Sequence, residues 1–316
     1  MATALHRSSG RWQLGLFFSL LTVVLWGVLP IALTVLLRSL DVYTVIWFRF
    51  LVAFSLLFTY LAARKQLPPL AKLRLLPWGL MGIAIVFLAA NYLLFLQGLG
   101  QTSPANAQVI MQLSPVLFGL GALAIFKERY TPTQWIGLGV FGLGFVLYFW
   151  DQLRMLVSAS GPFLIGCGLL VLSAATWAVY ALAQKQLLKA LPSANVMLLL
   201  YGGCALIFWP FAAPSKVFSL EALPAALLIF AALNTLVAYG AFAEALEHWE
   251  ASRVSAVLTL TPLITLGMVV AFSVFLPHFL KPEHLTLTSL IGAMFVVFGS
   301  LAIALGKSSP ALLSDN

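Results

Sequence analysis

The chain has 316 residues, of which 62% are apolar and only 8% are charged, and its formal net charge is +8 at pH 7. A soluble domain carries roughly 25% charged residues, so this composition excludes a water-soluble fold covered by polar surface helices. The length provides material for about ten membrane spans of roughly 20 residues and for little else. We therefore expect an integral membrane protein.

Ten apolar stretches follow one another along the chain, each long enough to cross a bilayer as a helix. They lie near 12–37, 42–63, 75–97, 103–126, 132–150, 162–188, 194–212, 222–246, 251–276 and 285–306. Runs of this length with short loops favour helices over barrel strands, because each helix satisfies its own backbone in lipid. The sequence therefore predicts an all-α membrane protein with ten transmembrane helices.

The first stretch is about 26 residues long and follows Arg7 and Arg11. That is too long for the core of a signal peptide, and no small-residue cleavage site follows it, so we expect this span to remain in the protein. Cys167 and Cys204 lie within predicted spans and are interpreted as small packing residues. The four histidines are scattered among termini and loops, so we predict no metal and no other cofactor.

Basic residues are distributed unevenly between the two sides of the predicted membrane protein. With the N-terminus in the cytoplasm, the inner segments hold 12 of the 17 lysines and arginines, the outer segments hold 4, and Arg49 lies within a span. This excess is the positive-inside signal, and it predicts that both termini are cytoplasmic. Topology thus accounts for the net positive charge, and nucleic-acid binding is not implied.

The second half of the chain repeats the first. Tyr92 to Pro115 aligns without gaps on Tyr239 to Pro262, and five of the 24 aligned pairs are identical. Trp26 and Ile136-Gly137 also have counterparts in the second half, in the same order. Repeated order at nearly constant spacing indicates an internal duplication.

Five spans in each half give the two copies opposite orientations. Many transporters use such inverted repeats to form two gates around one site at the membrane midplane. We predict a first five-helix repeat at residues 1–151, a second, inverted repeat at 152–306 and a cytoplasmic tail at 307–316.

Several short motifs carry a family resemblance. They are Trp26-Gly27, Arg49, Ser103 to Pro115 with its closing Leu-Ser-Pro, Lys127 to Gly137, Leu260-Thr261-Pro262, and Glu283 to Gly292. In their order and spacing the chain resembles the drug/metabolite transporter superfamily, specifically its EamA-type exporters. Within that group it is most similar to the bacterial YddG-type amino-acid exporters.

The resemblance covers essentially the whole chain. It implies a multi-pass protein of the bacterial inner membrane that exports aromatic and other amino acids from the cytoplasm. It also implies a midplane cavity between the two halves, with the fifth and tenth spans at the periphery. The expected partners are amino acids or related metabolites and membrane lipid.

Polar residues deep within spans are expected to face such a cavity, because lipid offers them no partner. Two matching stripes at helical spacing are Gln108, Gln112 and Pro115 in the fourth span and Ser255, Thr259 and Pro262 in the ninth. Hydrogen bonds between helices, worth about 0.6–2 kcal/mol, are the alternative, and we favour them for the serine and threonine. For the glutamines we favour the cavity, since two large amides on one face need more partners than packing usually provides.

Aromatic residues near mid-span form the second candidate set, together with one asparagine. The set comprises Asn91, Tyr92, Phe95, Tyr239, Phe242, Trp26, Trp177 and Tyr180. Aromatic faces hold rings, aliphatic groups or cations without demanding one shape. Most of the 24 Phe, 9 Trp and 8 Tyr must pack between helices or face lipid, but the two tryptophans stand out because the repeat relates them.

Two charged residues have two interpretations each. Arg49 lies about 12 Å into the second span, where it either extends along the helix to the outer surface or faces the cavity and attracts a carboxylate. Glu244 lies near the inner end of the eighth span, and we expect a structural or gating role, with proton coupling as the alternative.

Three prolines are candidates for gating. A proline within a helix leaves a carbonyl without its amide donor and permits bending. Pro115 and Pro262 are placed symmetrically in the two repeats, and Pro30 interrupts the first span. We therefore expect alternating access with bending in the fourth and ninth spans.

The sequence thus predicts a secondary transporter that exports amino acids. A multidrug exporter for aromatic cations is the alternative within transport, because an aromatic cavity with little charge accepts either substrate. A membrane-embedded enzyme would need paired carboxylates, a His/Glu metal set or a Ser/His pair at membrane depth, and the sequence places none there. No ATP-binding motif occurs, so no ATPase subunit is implied and a gradient or the substrate itself must drive transport.

Overall fold

The computed structural model describes residues 11–126, 131–150, 161–249, 251–275 and 286–305. Within these ranges every regular element is a helix. The helices are α1 (Trp12–Leu36), α2 (Val42–Ala63), α3 (Leu70–Arg74), α4 (Trp78–Gln101), α5 (Pro104–Ile110), α6 (Leu113–Phe126), α7 (Pro132–Tyr148), α8 (Gly161–Leu187), α9 (Ser193–Phe208), α10 (Ser215–Phe218), α11 (Ala222–His248), α12 (Ala251–Leu258), α13 (Thr261–Phe275) and α14 (Leu287–Leu305).

Six of the described helices are long and apolar enough to cross a membrane: α1, α2, α4, α8, α11, and α9 with the 3₁₀ turn that follows it. The prediction of an all-helical membrane protein is therefore confirmed. The other four predicted stretches contain the shorter helices α5 and α6, α7, α12 and α13, and α14.

The fourth predicted stretch is broken into two helices. α5 ends at Ile110 and α6 begins at Leu113, so the break precedes Pro115 instead of centring on it. Pro115 has no amide hydrogen, so the carbonyl of Met111 loses its normal helical donor. That carbonyl accepts a bond of 2.9 Å from the amide of Ser114, which tightens the chain into a turn.

The ninth stretch is broken at the equivalent place, between α12 and α13. Pro262 leaves the carbonyl of Leu258 without an amide donor, and the hydroxyl of Thr261 donates to that carbonyl at 2.6 Å. The amide of Leu260 turns back to the carbonyl of Val257 at 3.1 Å. Both breaks therefore have the same cause.

The N-terminus of α2 is fixed by Asp41, whose carboxylate accepts hydrogen bonds from the amide and hydroxyl of Thr44, both 2.9 Å long. Lys216 lies 3.2 Å from the same carboxylate. Partial burial alone would raise the pKa of Asp41, but the bonds from Thr44 and Lys216 outweigh burial and hold the pKa below its usual range. The Thr44 hydroxyl also accepts a bond of 2.9 Å from the amide of Ala213, which joins α2 to the segment after α9.

Helices from the two halves of the chain interleave. α4 packs mainly on α8, α1 on α11, α2 on α9 and α11, and α7 on α14. Each pairing joins a helix that precedes residue 151 to one that follows it. As a result, the centre of the protein is bordered by residues of both halves.

Candidate functional site

A cavity of about 700 Å³, including the part that is open to solvent, lies among the central helices. Its lining comes from α1, α2, α4, α5, α6, α8 and α11, from the turn between α5 and α6, and from the region of the second break. The residues that line it are Trp26, Leu29, Pro30, Arg49, Asn91, Tyr92, Phe95, Leu96, Gln108, Met111, Gln112, Ser114, Pro115, Trp177, Tyr239, Leu258 and Thr261. Its lining combines aromatic and apolar side chains with a few polar groups, which is typical of a site for a small molecule.

One wall of the cavity is aromatic. The repeat-related Trp26 and Trp177 are in edge contact, with ring centroids 5.9 Å apart and an interplanar angle of 83°. Tyr239 lies 5.0 Å from Trp26 and 5.4 Å from Tyr92, so the four rings form a continuous surface. Contacts of this kind hold the rings in place and present their faces and edges to the cavity.

Arg49 brings a positive charge to this wall. It is 1% exposed, its Nε donates to the hydroxyl of Thr235 at 2.9 Å, and its Cζ lies 4.7 Å from the centre of the Tyr92 ring. The side chain therefore lies in the protein interior and does not extend to the surface. Among the described residues no carboxylate pairs with it, and its other N–H groups form no hydrogen bond. These groups are available to an anionic partner in the cavity.

Two of the amides that line the cavity are already bound by the protein. Asn91 donates to the carbonyl of Ser173 at 3.0 Å and to its hydroxyl at 2.8 Å, which ties α4 to α8. Gln108 donates to the carbonyl of Trp26 at 2.8 Å. That carbonyl has no helical donor because Pro30 lies four residues later, so Gln108 replaces the missing bond. Both amides therefore have a structural function.

Other polar atoms of the lining have no partner. Oε1 of Gln112, Oγ of Ser114 and Nε1 of Trp26 are buried and form no hydrogen bond with any described residue. The hydroxyl of Tyr92 also forms no bond of good geometry, although the hydroxyls of Thr235 and Tyr239 are near it. An unpaired buried group costs about 1–3 kcal/mol, so these atoms are favourable contacts for a bound molecule or for water.

Nine of the thirteen residues that the sequence predicted for substrate binding line this cavity. They are Trp26, Arg49, Asn91, Tyr92, Phe95, Gln108, Gln112, Trp177 and Tyr239. Of the predicted gating prolines, Pro30 and Pro115 also line it, whereas Pro262 does not.

The other four predicted residues lie outside the lining. Phe242 packs behind the two tryptophans, 5.5 Å from Trp26 and 5.3 Å from Trp177, and the hydroxyl of Tyr180 faces the sulfur of Met197. Ser255 donates to the carbonyl of Pro115 at 3.3 Å, which is the bond between helices that the sequence favoured. Thr259 is buried in the turn between α12 and α13.

Some residues of the site were not predicted. Ser114 and Thr261 precede the two prolines in the Leu-Ser-Pro and Leu-Thr-Pro motifs, so their positions in the sequence could have identified them. Thr235, which holds Arg49, has no such signal, because a threonine in an apolar helix usually bonds its own backbone.

Glu244 belongs to a separate cluster. Its carboxylate accepts a hydrogen bond from the hydroxyl of Ser193 and lies 3.5 Å from Nε2 of His248, while Glu247 accepts from the amide of Ser193 at 3.3 Å. These contacts join the start of α9 to the end of α11. Glu244 does not line the cavity.

A helical membrane protein whose two halves jointly surround a polar and aromatic cavity has the architecture of a membrane transporter. Comparison with known families identifies the particular group. Residues 13–150 and again residues 164–305 match the EamA-like transporter family, and the chain belongs to that family.

The relatives of the chain extend over nearly its whole length. An "Uncharacterized transporter" of Haemophilus influenzae is 38% identical over 296 residues, which cover 93% of this chain and 95% of that protein. The "Uncharacterized inner membrane transporter YhbE" of Escherichia coli is 38% identical over 294 residues, covering 93% of this chain and 92% of that protein. A solved crystal structure that is 18% identical matches 94% of this chain and 98% of its own with a TM-score of 0.65, which supports the fold.

Proposed function

We propose that this protein is a secondary transporter that exports amino acids, aromatic ones and other small zwitterions, across the bacterial inner membrane. The observation that carries the proposal is Arg49, a buried cation in the cavity with N–H groups that no described residue binds. Guanidinium groups bind carboxylates with paired, charge-assisted hydrogen bonds. A carboxylate is common to all amino acids, so this contact does not depend on the side chain.

The aromatic wall supports the second part of the proposal. Trp26, Tyr92, Trp177 and Tyr239 offer ring faces that accept aromatic or aliphatic side chains of different shapes. None of the residues that line the described cavity is acidic. Arg49 would therefore repel an organic cation with no carboxylate to balance the charge, which disfavours the alternative of a multidrug exporter for aromatic cations.

The proposed architecture is ten transmembrane helices in two inverted repeats, residues 1–151 and 152–306, with both termini cytoplasmic. The two separate matches to the family support the duplication. The bond between Asp41 and Lys216 supports the relative sidedness, since it joins two loops that the charge distribution puts on the same outer side. The inner-membrane location rests on the similarity to YhbE.

The proposed mechanism is alternating access with bending at Pro30, Pro115 and Pro262. The helix breaks next to Pro115 and Pro262 support it, because a break concentrates bending at a few residues. The closer likeness to the YddG-type exporters belongs to the same proposal and rests on motif order.

The test is uptake of radiolabelled amino acids, beginning with L-phenylalanine, into proteoliposomes with and without an imposed pH gradient. We expect uptake above that of empty liposomes, and we expect Arg49→Gln to reduce it about tenfold or more, because a charged hydrogen bond is lost. Arg74→Gln removes an exposed arginine of α3 and serves as the matched control with unchanged uptake.

Two results would contradict the proposal. Full uptake activity of a folded Arg49→Gln protein would show that Arg49 does not bind the substrate carboxylate. Uptake of an aromatic quaternary ammonium ion, with no uptake of any amino acid, would assign the protein to the cation exporters. Where amino-acid uptake is observed, its dependence on the imposed pH gradient distinguishes proton coupling from facilitated diffusion.

A further inference from the structure

We infer that the substrate's amino group binds at the break between α5 and α6, on the side chains of Gln112 and Ser114. The inference rests on the proposed function and deepens it. With Arg49 as the carboxylate site, the cavity then recognises an amino acid at both of its charged ends.

The first argument is the pairing of acceptors with donors. Arg49 has only N–H donors to offer, so it binds the carboxylate and repels an ammonium group. An ammonium group has three donors and no acceptor, so it needs oxygen atoms without a competing partner. Gln112 and Ser114 are each 3% exposed, line the cavity and carry an unpaired oxygen.

The second argument is the contrast with Gln108. Its amide lies in the same lining, one helical turn earlier, but donates to the carbonyl of Trp26. Asn91 is likewise bound to Ser173. Of the side-chain amides that line the described cavity, Gln112 alone has an oxygen that lacks a partner and is buried. The unpaired state of Gln112 is therefore specific to the break.

The third argument is the local backbone. In a continuous helix, residues two positions apart point to opposite sides, so Gln112 and Ser114 would not share one cavity. The turn that Pro115 imposes between Ile110 and Leu113 changes this geometry, and both side chains line the same space. The break thus creates a pair of neutral acceptors next to each other.

Neutral acceptors suit a transporter of zwitterions. An acidic residue would hold an amino group strongly, but it would also pair with Arg49 or attract free cations. An amide and a hydroxyl bind the ammonium group through charge-assisted hydrogen bonds without a charge of their own. The cavity remains able to release the substrate.

The experiment measures binding to the purified full-length protein in detergent with three probes. These are L-phenylalanine, 3-phenylpropanoate, which lacks the amino group, and phenethylamine, which lacks the carboxylate. We expect L-phenylalanine to bind about tenfold or more tightly than 3-phenylpropanoate, since two hydrogen bonds to a charged group are lost without the amine. In Gln112→Leu, the affinity for L-phenylalanine should fall towards that for 3-phenylpropanoate, whose affinity stays unchanged.

Gln97→Leu is the matched control, because Gln97 is a partly exposed glutamine of α4 outside the cavity lining. It should bind all three probes as the wild type does. Equal binding of L-phenylalanine and 3-phenylpropanoate to the wild type would overturn the amino-group site, while amino-acid transport would still stand. An equal loss for both probes in a folded Gln112→Leu protein would also overturn it.

Failure of the proposed function itself gives another pattern. In that case phenethylamine binds more tightly than L-phenylalanine, or the folded wild type binds none of the three probes and shows no amino-acid uptake. Either pattern overturns the amino-group site together with the function on which it rests.

Discussion

Gln108 and Gln112 lie one helical turn apart in sequence, and the structure gives them different functions. Gln108 restores a hydrogen bond that Pro30 removes from α1, by donating to the carbonyl of Trp26. The two neighbouring carbonyls of α1 are bound in the same way, that of Leu25 by Asn234 at 2.7 Å and that of Gly27 by Thr265 at 2.7 Å. The turn of α1 that precedes Pro30 is therefore held by side chains from three other helices.

This difference predicts that the same substitution lowers stability at position 108 but not at position 112. Gln108→Leu leaves the carbonyl of Trp26 buried and unpaired, so the free energy of unfolding should fall by about 1–3 kcal/mol. Gln112→Leu removes an amide whose oxygen has no partner, so the free energy of unfolding should not fall. Thermal unfolding of both purified variants measures the difference.

The same substitution made in a Pro30→Ala protein tests the reason for this difference. Alanine at position 30 restores an amide donor to the carbonyl of Trp26, so Gln108→Leu should cost less there than in the wild type. An equal loss of stability from Gln108→Leu and Gln112→Leu would contradict the assignment.

The sequence alone could identify these residues as polar and buried, but it could not separate their functions. Periodicity put Gln108, Gln112 and Pro115 on one face of one continuous helix. The separation depends on the partner of each amide, and the partner of Gln108 is 82 positions away. Long-range hydrogen bonds of this kind leave no local pattern. The same reason explains why Thr235 was not predicted.

At the scale of the helices, the sequence predicted where helices begin and end better than where a helix is broken within an apolar stretch. The stretch 42–63 coincides with α2, and 132–150 contains α7. The fourth and ninth stretches are mainly apolar over their whole length, so the sequence pattern treats each as one helix. Pro115 and Pro262 indicated a bend, but the actual turns precede the prolines, because the carbonyl that loses its donor lies four residues earlier.

The contact between α7 and α14 depends on glycines that allow the two backbones to touch. A Cβ added to Gly292 would lie 2.7 Å from Cα of Tyr148 and 2.8 Å from the carbonyl oxygen of Gly144. Both are backbone atoms, which cannot move without separating the helices. Small residues are the usual means of such close approach in membranes, where apolar burial does not drive helices together.

We therefore expect Gly292→Ala to destabilise the protein by about 1–3 kcal/mol, as overpacking does. Gly139→Ala in α7 is the control, because nothing lies within 4 Å of its added Cβ. This control should leave the unfolding temperature unchanged or raise it slightly, since alanine favours a helix over glycine. A Gly292→Ala protein as stable as Gly139→Ala would show that the two helices are not held at this distance.

At the scale of the whole molecule, the interleaved helices determine what can move. Arg49 of the first half is held by Thr235 of the second, and the rings of Trp26 and Trp177 meet across the two halves. A rigid movement of residues 1–151 against 152–306 would break these contacts around the cavity. Alternating access in this fold therefore requires moving units that each combine helices of both halves.

Different contacts hold the helices together at the two ends of the assembly. At one end Asp41 binds Lys216, and Thr44 binds the amide of Ala213. At the other end, the ring of Phe18 stacks on that of His248 with centroids 6.4 Å apart, and Gly15 lies against Trp249. If access alternates, each set of contacts must open in one of the two states.

This requirement gives a direct test at the first end. Thr44→Cys combined with Ala213→Cys introduces thiols on two residues that are in contact, since the Thr44 hydroxyl and the Ala213 backbone amide are 2.9 Å apart, and oxidation should join them. The joined protein cannot separate α2 from the segment after α9, so we expect proteoliposome uptake to stop and to return on reduction. Each single cysteine variant, treated with the same oxidant, controls for the native Cys167 and Cys204. Because a transporter with one permanently closed end cannot pass substrate through, unimpaired uptake by fully cross-linked protein would rule out alternating access through this end.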